Sequence, residues 1–270
     1  MGLYRGVALT VAGSDSGGGA GIQADLKTFA ALRVFGTSAL AAVTVQNSLG
    51  VRGFHPVPEE TVRGQIDAVC SDFPVGAVKT GMLASQALVR ATAEALEAAG
   101  VRNLVVDPVM VSQSGDPLLG EDAAAALRDR LLPLALLATP NLPEAEVLLG
   151  RRIPGPEAME EAARDLLDLG PKGVLLKGGH LKGEELVDVL ALPGDLRVFR
   201  QSRLHTENTH GTGCTLSAAV AAELAAGCDL PEAVDRGRRY LRQALEAGVR
   251  YGRGHGCPGH GVTPSWVDRR

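Results

Sequence analysis

The sequence lacks paired cysteines, a long apolar run and a cleavable signal pattern. Its four cysteines, Cys70, Cys214, Cys228 and Cys257, are widely spaced and form no Cys-x-x-Cys motif. That spacing argues against a disulfide framework and favours reduced thiols. No apolar run reaches the roughly 18 residues that a membrane span requires, and the first apolar segment follows the N-terminus without a signal-peptide pattern. We therefore expect a cytoplasmic protein with no membrane partner.

The chain also has a small net charge and few aromatic side chains. The net charge is −4, and only 3% of the residues are aromatic. Arg236, Arg238 and Arg239 stand among acidic and apolar neighbours, as on a solvated helix face, so they form no basic block of the kind that binds nucleic acid. These absences favour a small molecule as the partner.

Three common site motifs are missing as well. The glycine-rich segment Gly13–Gly21 has no Gly-Lys-Ser/Thr at its end, which excludes a Walker A loop. A dinucleotide-binding Gly-x-Gly-x-x-Gly pattern counted from Gly17 would place its last glycine on Ile22. No Gly-x-Ser-x-Gly elbow is present. The segment is instead a glycine-rich loop at a strand end, where a flat substrate can approach the backbone closely.

Short apolar runs alternate with longer amphipathic runs along the whole chain. Hydrophobic residues make up 45% of the 270 residues, enough for a large core. The alternation predicts βαβ units, and so an α/β fold with a mostly parallel central sheet. No long linker, repeat or low-complexity block divides residues 1–270, so we predict a single domain. The predicted strands are Val7–Val11, Ser38–Val45, Val75–Lys79, Asn103–Val106, Leu134–Ala138, Gly173–Leu176 and a hairpin of Leu186–Leu192 with Leu196–Gln201. The predicted helices are Ile22–Leu32, Glu59–Val69, Gln86–Ala98, Glu121–Leu131, Glu144–Leu149, Glu157–Leu169, Cys214–Ala226 and Pro231–Ala247.

Polar residues follow several predicted strands, where ligands of open α/β sheets bind. Asp107, Asn141 and Glu144 offer the oxygen atoms that Mg²⁺ prefers, directly or through water. The alternative for these three is turn and capping chemistry. Lys177 ends a strand before two glycines, where its ammonium could meet a nucleotide phosphate. Its alternative is a solvated surface charge.

The segment Asn208–Thr215 places two glycines and a cysteine directly before an alanine-rich helix. A helix N-terminus presents unpaired N–H groups and the positive end of a dipole, which together suit a phosphate in transit. A cysteine there is expected to have a lowered pKa. We interpret the segment as a phosphoryl-transfer centre with Cys214 as candidate base. The alternative is a buried cysteine beside an ordinary glycine turn.

Two further features have ready structural explanations. Asp25 lies early in a predicted helix, where an acid compensates the helix dipole by about 0.3–1 kcal/mol. His255, Cys257 and His260 form the one cluster in the sequence with metal-like spacing, but no second ligand pair accompanies them. An ordered C-terminal loop is the favoured interpretation of that cluster, with zinc as the alternative.

Taken together, seven segments resemble the hydroxymethylpyrimidine/phosphomethylpyrimidine kinases of thiamine biosynthesis. They occur in order over nearly the whole chain: Val11–Thr28, Val45–Asn47, Lys79–Leu83, Asp107–Met110, Thr139–Ala145, Lys177–His180 and Asn208–Thr215. The resemblance implies a ribokinase-like fold with helices on both faces of the sheet. It also implies phosphorylation of 4-amino-5-hydroxymethyl-2-methylpyrimidine and then of its monophosphate, with ATP and Mg²⁺, by a homodimer.

The resemblance implies roles for individual residues. Cys214 stands where many ribokinase-like sugar kinases carry a catalytic aspartate. The residues implied around the pyrimidine are Gly13, Asp25, Gln46, Met82 and Val109, with Asp25 and Gln46 on its aminopyrimidine edge. For phosphoryl transfer, the resemblance implies that Asp107 and Glu144 bind Mg²⁺. It implies that Asn141, Lys177 and Thr212 bind ATP. The charge that develops on the transferred group would be received by the backbone amides of Gly211, Thr212, Gly213 and Cys214.

Three departures from, or rivals to, this kinase interpretation stay open: the residue at position 46, a pyridoxal kinase activity, and functions outside the kinases. Gln46 stands where some relatives carry glutamate. Related pyridoxal kinases can carry a lid cysteine near Val111 and Ser112, where this chain has serine. A pyridoxal kinase is therefore a rival within the same class. A non-catalytic sensor of an aminopyrimidine or nucleotide is a rival of another class, and a dinucleotide oxidoreductase is a weaker one because its fingerprint is missing.

Overall fold

Strands from both halves of the chain join one sheet in the computed structural model, which describes residues 2–110, 120–181 and 183–267. Over those residues the sheet has nine strands in the order β3-β2-β1-β4-β5-β6-β7-β8-β9. Strands β2, β1, β4, β5, β6 and β7 are parallel neighbours, whereas β3, β8 and β9 pair antiparallel at the two edges. Their bounds are β1 Val7–Gly13, β2 Phe35–Asn47, β3 Gly50–Pro56, β4 Val75–Thr80, β5 Leu104–Val106, β6 Leu137–Ala138, β7 Val174–Lys177, β8 Glu185–Leu192 and β9 Asp195–Ser202.

Helices cover both faces of this sheet, as the sequence predicts. Alternate residues of β5 enter different cores: Leu104 and Val106 pack with one group of helices, and Val105 with the other. The first group comprises α2 Glu59–Asp72, α3 Gln86–Ala98, α4 Glu121–Ala126, α5 Leu142–Leu149 and α6 Pro156–Leu167. The second comprises α1 Gly21–Ala31, α7 Thr212–Ala225 and α8 Leu230–Glu246. The predicted α/β fold with a mostly parallel sheet is therefore confirmed.

Several local predictions differ from the structure. β3 was not predicted, because Gly50, Gly53 and Pro56 make its sequence look like a loop. The predicted helix Glu121–Leu131 is α-helical only to Ala126 and then continues as a π-helical turn. The predicted strand Leu134–Ala138 shrinks to Leu137–Ala138, since Leu134 belongs to a 3₁₀ turn. None of the helices in the described residues is long and apolar enough to span a bilayer.

Glu223 on α7 is a buried carboxylate that joins distant parts of the chain. Its oxygens accept hydrogen bonds from Arg5 Nη2 at 2.9 Å, Arg236 Nη1 at 3.1 Å and Trp266 Nε1 at 3.0 Å. Burial alone would raise the pKa of Glu223, but the bonds from Arg5, Trp266 and Arg236 lower it. The N-terminal segment, α8 and the C-terminal segment are thereby tied to α7.

We expect Glu223→Ala to lower the free energy of unfolding by about 1.5–3 kcal/mol, because it leaves the partly buried guanidinium groups of Arg5 and Arg236 without their counter-charge. Urea unfolding followed by circular dichroism measures the change. The matched control is Glu232→Ala, which removes an exposed partner of Arg236 and is expected to cost less than about 1 kcal/mol. A similar small loss in both variants would contradict the assigned role of Glu223.

Candidate active site

The carboxyl ends of the parallel strands open onto a cavity of about 710 Å³. Every site residue predicted from the sequence lines it except Asp25. The lining residues from that prediction are Gly13, Gln46, Met82, Val109, Asp107, Asn141, Glu144, Lys177, Gly211, Thr212, Gly213 and Cys214. Residues between 13 and 214 thus converge, although which ligand atoms they touch stays a prediction.

Asp15 holds the glycine-rich loop in shape. Its carboxylate accepts hydrogen bonds from the backbone N–H groups of Gly17 at 2.7 Å, Gly19 at 3.0 Å and Ala20 at 2.8 Å. It also lies 2.8 Å from His210 Nε2, which ties the loop to the segment before α7. Burial alone would raise the pKa of Asp15, but the bonds from His210 and the amides lower it. Sequence reasoning gave Asp15 no role, although an aspartate followed by glycines is a recognisable turn signal.

Two glycines at the start of α7 allow close approach of neighbouring groups. Gly211 has a φ of 82°, and a side chain there would overlap the carbonyl oxygen of Gly19. A Cβ on Gly213 would lie 3.4 Å from Lys177 Nζ and 3.6 Å from Asp107 Oδ2. The helix N-terminus therefore lies directly against a charged pair from two strand ends.

That pair consists of Asp107 and Lys177. Lys177 Nζ donates to Asp107 Oδ1 at 3.1 Å, while Thr139 and Ser217 donate to the same carboxylate at 3.1 and 3.2 Å. Burial alone would raise the pKa of Asp107, but the ammonium groups of Lys177 and Lys79 lower it. Burial alone would lower the pKa of Lys177, but Asp107 and Glu144 raise it. Both groups are therefore charged at neutral pH. The Lys177 side chain is only 13% exposed, which disfavours a solvated surface role for it.

Asn141 and Glu144 form a capping box at the start of α5. Asn141 Oδ1 accepts from Glu144 N at 3.0 Å, and Glu144 Oε2 accepts from Asn141 N at 2.8 Å. Asn141 and Glu144 therefore do cap α5, as the alternative interpretation predicts. Both residues also line the cavity, so capping does not exclude a role in binding. Burial raises the pKa of Glu144 to about 7, with Lys177 opposing and Asp107 adding to the rise.

These carboxylates suit a cation that brings its own oxygen ligands. No three His, Cys, Asp or Glu side chains converge as a metal cage within the described ranges. Asp107 and Glu144 contribute two carboxylates to the cavity lining, which fits Mg²⁺ bound together with phosphate oxygens and water. His260 from the C-terminal cluster is instead a core residue, 2.9 Å from Thr215 Oγ1, and burial lowers its pKa to about 4.

The prediction that Asp25 contacts the pyrimidine does not fit its placement. Its side chain is fully buried on α1 and is absent from the cavity lining. Asp25 Oδ2 accepts from Thr10 Oγ1 at 2.6 Å and from Lys79 Nζ at 2.8 Å. Burial raises the pKa of Asp25, although Lys79 opposes the rise. Lys79, to which sequence reasoning gave no role, lines the cavity in its place.

The expectation of a lowered pKa for the Cys214 thiol is wrong for this arrangement. Burial raises its pKa to about 11. Lys79 opposes the rise, but Asp25 and Asp107 add to it. The helix N-terminus is a local signal, whereas desolvation and the two carboxylates come from the tertiary packing. Cys214 nevertheless lines the cavity and does not occupy a sealed core.

The far end of the cavity carries residues that sequence reasoning missed. Asp188 Oδ2 accepts from Arg238 Nε at 3.0 Å, and the Arg238 guanidinium stacks 4.2 Å above the Phe199 ring. The interpretation of Arg238 as part of a solvated face is wrong, because its side chain is only 9% exposed. Six apolar side chains also line the cavity: Pro143, Val147, Leu186, Leu204, Leu241 and Leu245. These residues come from separate segments of the chain, so no local sequence motif predicts that they line the cavity.

This chain is similar in sequence to known kinases over nearly its whole length. A family model described as phosphomethylpyrimidine kinase matches residues 15–259. The hydroxymethylpyrimidine/phosphomethylpyrimidine kinase of Rhizobium meliloti is 52% identical over 266 residues, which cover 97% of this chain and 99% of that protein. The thiamine biosynthesis bifunctional protein ThiED of Geobacter sulfurreducens is 51% identical over 256 residues. That match covers 95% of this chain but 52% of the relative, so the chain spans about half its length.

A solved structure shares the fold over nearly the whole chain. Bacillus subtilis pyridoxal kinase, solved as an ADP complex, superposes with a TM-score of 0.89 at 38% identity. The match covers 97% of this chain and 98% of that chain. The ribokinase-like architecture implied by the sequence segments is therefore confirmed.

Proposed function

The chain belongs to the phosphomethylpyrimidine kinase family, and we propose that it phosphorylates 4-amino-5-hydroxymethyl-2-methylpyrimidine and then the monophosphate, with ATP as donor. One observation carries the proposal. Gly13, Gln46, Met82 and Val109 line the same cavity as the N-terminus of α7, so an acceptor and a transferring phosphoryl group can meet there. A non-catalytic sensor would not need that meeting point.

The acceptor end of the cavity suits a flat, partly apolar ring. Met82 and Val109 pack together in a small apolar cluster. A side chain at Gly13 would lie 3.0 Å from the terminal methyl group of Met82, so glycine there leaves room for a ring beside the backbone. Gln46 is half-buried near the end of β2, where its amide can donate to and accept from the ring edge. We propose that these four residues bind and orient the pyrimidine.

The other end positions the nucleotide. Lys177, Asn141 and Thr212 would contact the phosphates of ATP, and the amides from Gly211 to Cys214 would receive the charge that develops on the transferred group. Bound Mg²⁺, held by Asp107 and Glu144, would neutralise phosphate charge. Phosphoryl transfer depends mainly on such alignment and charge neutralisation.

The first phosphorylation requires the loss of a hydroxyl proton. The hydroxymethyl oxygen forms a bond to the γ-phosphorus, the bond from that phosphorus to the bridging oxygen breaks, and ADP leaves. We propose that Cys214 orients the hydroxyl and accepts its proton as a thiolate. Neutralisation of Asp107 would remove one of the charges that raise the pKa of Cys214. The monophosphate instead attacks through an oxygen that is already ionised, so its phosphorylation needs no base.

The direct test is a product assay. The purified protein is incubated with the hydroxymethylpyrimidine and Mg-ATP, and mono- and diphosphate are resolved by mass over time. We expect the monophosphate to appear first and the diphosphate afterwards, with one ADP formed for each phosphate transferred. ATP turnover without a phosphorylated pyrimidine would overturn the proposal and favour the sensor.

A second candidate activity is phosphorylation of pyridoxal. It is supported by the fold shared with Bacillus subtilis pyridoxal kinase. The positions implied for a lid cysteine, Val111 and Ser112, lie outside the described residues. Comparing kcat/KM on the aminopyrimidine with kcat/KM on pyridoxal decides between the two, and a higher value on pyridoxal would reverse our assignment.

Glu144 predicts a pH dependence of magnesium use. Because burial raises its pKa to about 7, the side chain is protonated below that pH and cannot serve as an anionic ligand. We expect the Mg²⁺ concentration for half-maximal activity to fall between pH 6 and pH 8 as Glu144 loses its proton. Glu144→Gln is the matched control, since ATP titrates identically in both assays. The same pH dependence in the two proteins would contradict a ligand role for Glu144.

We also propose a homodimer formed through the β2–β3 hairpin. Val43 and Val45 lie two residues apart on one face of β2 and are 49% and 60% exposed. A second copy of the chain would cover them. Val45→Asp is expected to give a monomer in sedimentation velocity, whereas Leu3→Asp, at another exposed apolar site, should leave the dimer intact. A wild-type protein that sediments as a monomer would contradict the proposal.

Two coarser predictions also stay proposals. A single kinase domain over residues 1–270 is supported by the one sheet that takes strands from Val7 to Ser202. A cytoplasmic location is supported by four cysteines that are all free thiols.

A further inference from the structure

A fully buried lysine lies at the acceptor end of the cavity, and none of the roles proposed above uses it. Lys79 on β4 is 0% exposed to solvent, yet it contributes to the cavity wall. Its ammonium donates to Asp25 Oδ2 at 2.8 Å, and Thr10 Oγ1 donates to the same oxygen at 2.6 Å. The ammonium is therefore held in one place by α1 and β1.

The ammonium lies at the carboxyl edge of the sheet. A Cβ on Gly81 would lie 2.8 Å from Lys79 Nζ, so the long side chain runs along β4 and reaches past its end at Thr80. β4 is the direct neighbour of β1, which ends at Gly13 on the acceptor side. Lys177, at the end of β7, is three strands further along the sheet. The two lysines thus lie on opposite sides of the transfer point.

Fold stability does not explain the Lys79–Asp25 pair. Asp25 Oδ1 is buried and has no hydrogen-bond partner among the described residues, so the pair is incompletely satisfied. A buried ion pair of this kind is weak evidence for stabilisation, because desolvation offsets the attraction. Burial alone would lower the pKa of Lys79, but Asp25, Cys214 and Asp107 raise it, which keeps the ammonium charged. The cavity therefore contains a fixed positive charge on its acceptor side.

The second phosphorylation needs such a charge. The monophosphate acceptor carries close to two negative charges at neutral pH, and its attacking oxygen must reach the same γ-phosphorus as the hydroxyl in the first step. Its phosphate group consequently occupies the space between the ring and the N-terminus of α7. There it approaches another phosphate, and repulsion between them has to be offset.

Resting on the proposed function, we propose that Lys79, oriented by Asp25, binds the phosphate group of the monophosphate acceptor. A phosphate oxygen of the acceptor forms the new bond to the γ-phosphorus, the bond from that phosphorus to the bridging oxygen breaks, and ADP leaves with that oxygen. The attacking oxygen carries no proton, so the ammonium stays protonated throughout. Lys79 supplies the positive charge for this acceptor, whereas Lys177 supplies it for ATP.

Lys79→Met tests the proposal because it keeps the length of the side chain and removes its charge. We expect kcat/KM for the monophosphate to fall about 100-fold, mainly through KM, because one charged hydrogen bond is lost. kcat/KM for the hydroxymethylpyrimidine should fall by less than about tenfold, because that acceptor is neutral and loses only the ammonium that opposes the rise in the pKa of Cys214. Lys79→Arg should restore part of the loss. Lys172→Met, an exposed lysine outside the cavity lining, is the control and should behave as wild type.

The double variant Asp25→Asn/Lys79→Met keeps the test valid if Lys79→Met alone misfolds. It also removes the buried carboxylate that Lys79→Met would leave unpaired. It should show the same preference for the unphosphorylated acceptor. Equal losses on both acceptors, or none on the monophosphate, would overturn the role of Lys79. A wild-type enzyme that phosphorylates neither acceptor would instead refute the proposed function, so the two failures are distinguishable.

Discussion

Replacing Cys214 by alanine is expected to lower kcat for the hydroxymethylpyrimidine by roughly 10²–10⁴-fold, the usual contribution of a positioned general base. The same substitution should change phosphorylation of the monophosphate by less than about tenfold, because its attacking oxygen is already ionised. Steady-state rates on each acceptor at saturating Mg-ATP, with products resolved by mass, measure both effects. The ratio of the two losses matters more than either loss, since it separates proton transfer from general damage to the cavity.

The pH profile gives a second test of Cys214. With a thiol pKa of about 11, the thiolate fraction rises about tenfold per pH unit between pH 7 and pH 10. Wherever chemistry limits turnover, the first phosphorylation should accelerate with pH in the wild type, and Cys214→Ala should lose that slope. Cys70→Ala, on α2 and outside the cavity lining, serves as control. Equal losses on both acceptors, together with a flat wild-type profile, would contradict the base role.

Asp107→Asn is expected to lower kcat on both acceptors by roughly 10³-fold, because in the proposed function both reactions would share Mg²⁺ and ATP. The amide removes a negative charge that would hold Mg²⁺ and leaves Lys177 without its ionic partner. Raising Mg²⁺ should recover little of the activity. The measurement is kcat on each acceptor across a range of Mg²⁺ concentrations, with thermal unfolding monitored in parallel.

The control for Asp107→Asn is Thr139→Val, which removes one hydrogen bond to the same carboxylate and keeps its charge. We expect its loss of activity to be less than about tenfold. An Asp107→Asn enzyme that keeps near-normal kcat at ordinary Mg²⁺, or that loses activity on only one acceptor, would contradict a shared role. The Asp107 and Cys214 variants therefore predict opposite patterns, one uniform and one selective for the first step.

Much of this fold could be predicted from local patterns. Apolar runs bounded by glycine and polar residues predicted β1, β4 and the β8–β9 hairpin within two residues of their ends. β3 was missed because its glycines and proline are loop signals, and it forms only by pairing with β2. Its existence depends on a neighbouring strand and not on its own propensity.

Some residues of the candidate site could likewise be predicted from local patterns, whereas others could not. Asp107, Lys177 and the turn before Cys214 were found because each follows or precedes a recognisable element, and parallel strands bring such ends together. The Asp25–Lys79 pair was not found, because its residues are 54 positions apart in sequence. The contact between Asp15 and His210 joins residues 195 positions apart and is equally invisible in a local pattern.

The amino-acid sequence by itself determined most of the strands and helices, the family, and the residues at strand ends and before α7 that line the cavity, but not β3, Asp15 or Lys79. Tertiary structure decided the ionisation of those residues and the partner of each: a protonated thiol at Cys214, an internal carboxylate at Asp25 and a charged Lys79 in the cavity wall. The physical reason is the separation in sequence between the interacting groups. Secondary structure and turns follow from interactions among neighbouring residues, whereas desolvation and charge pairing depend on groups that only folding brings together.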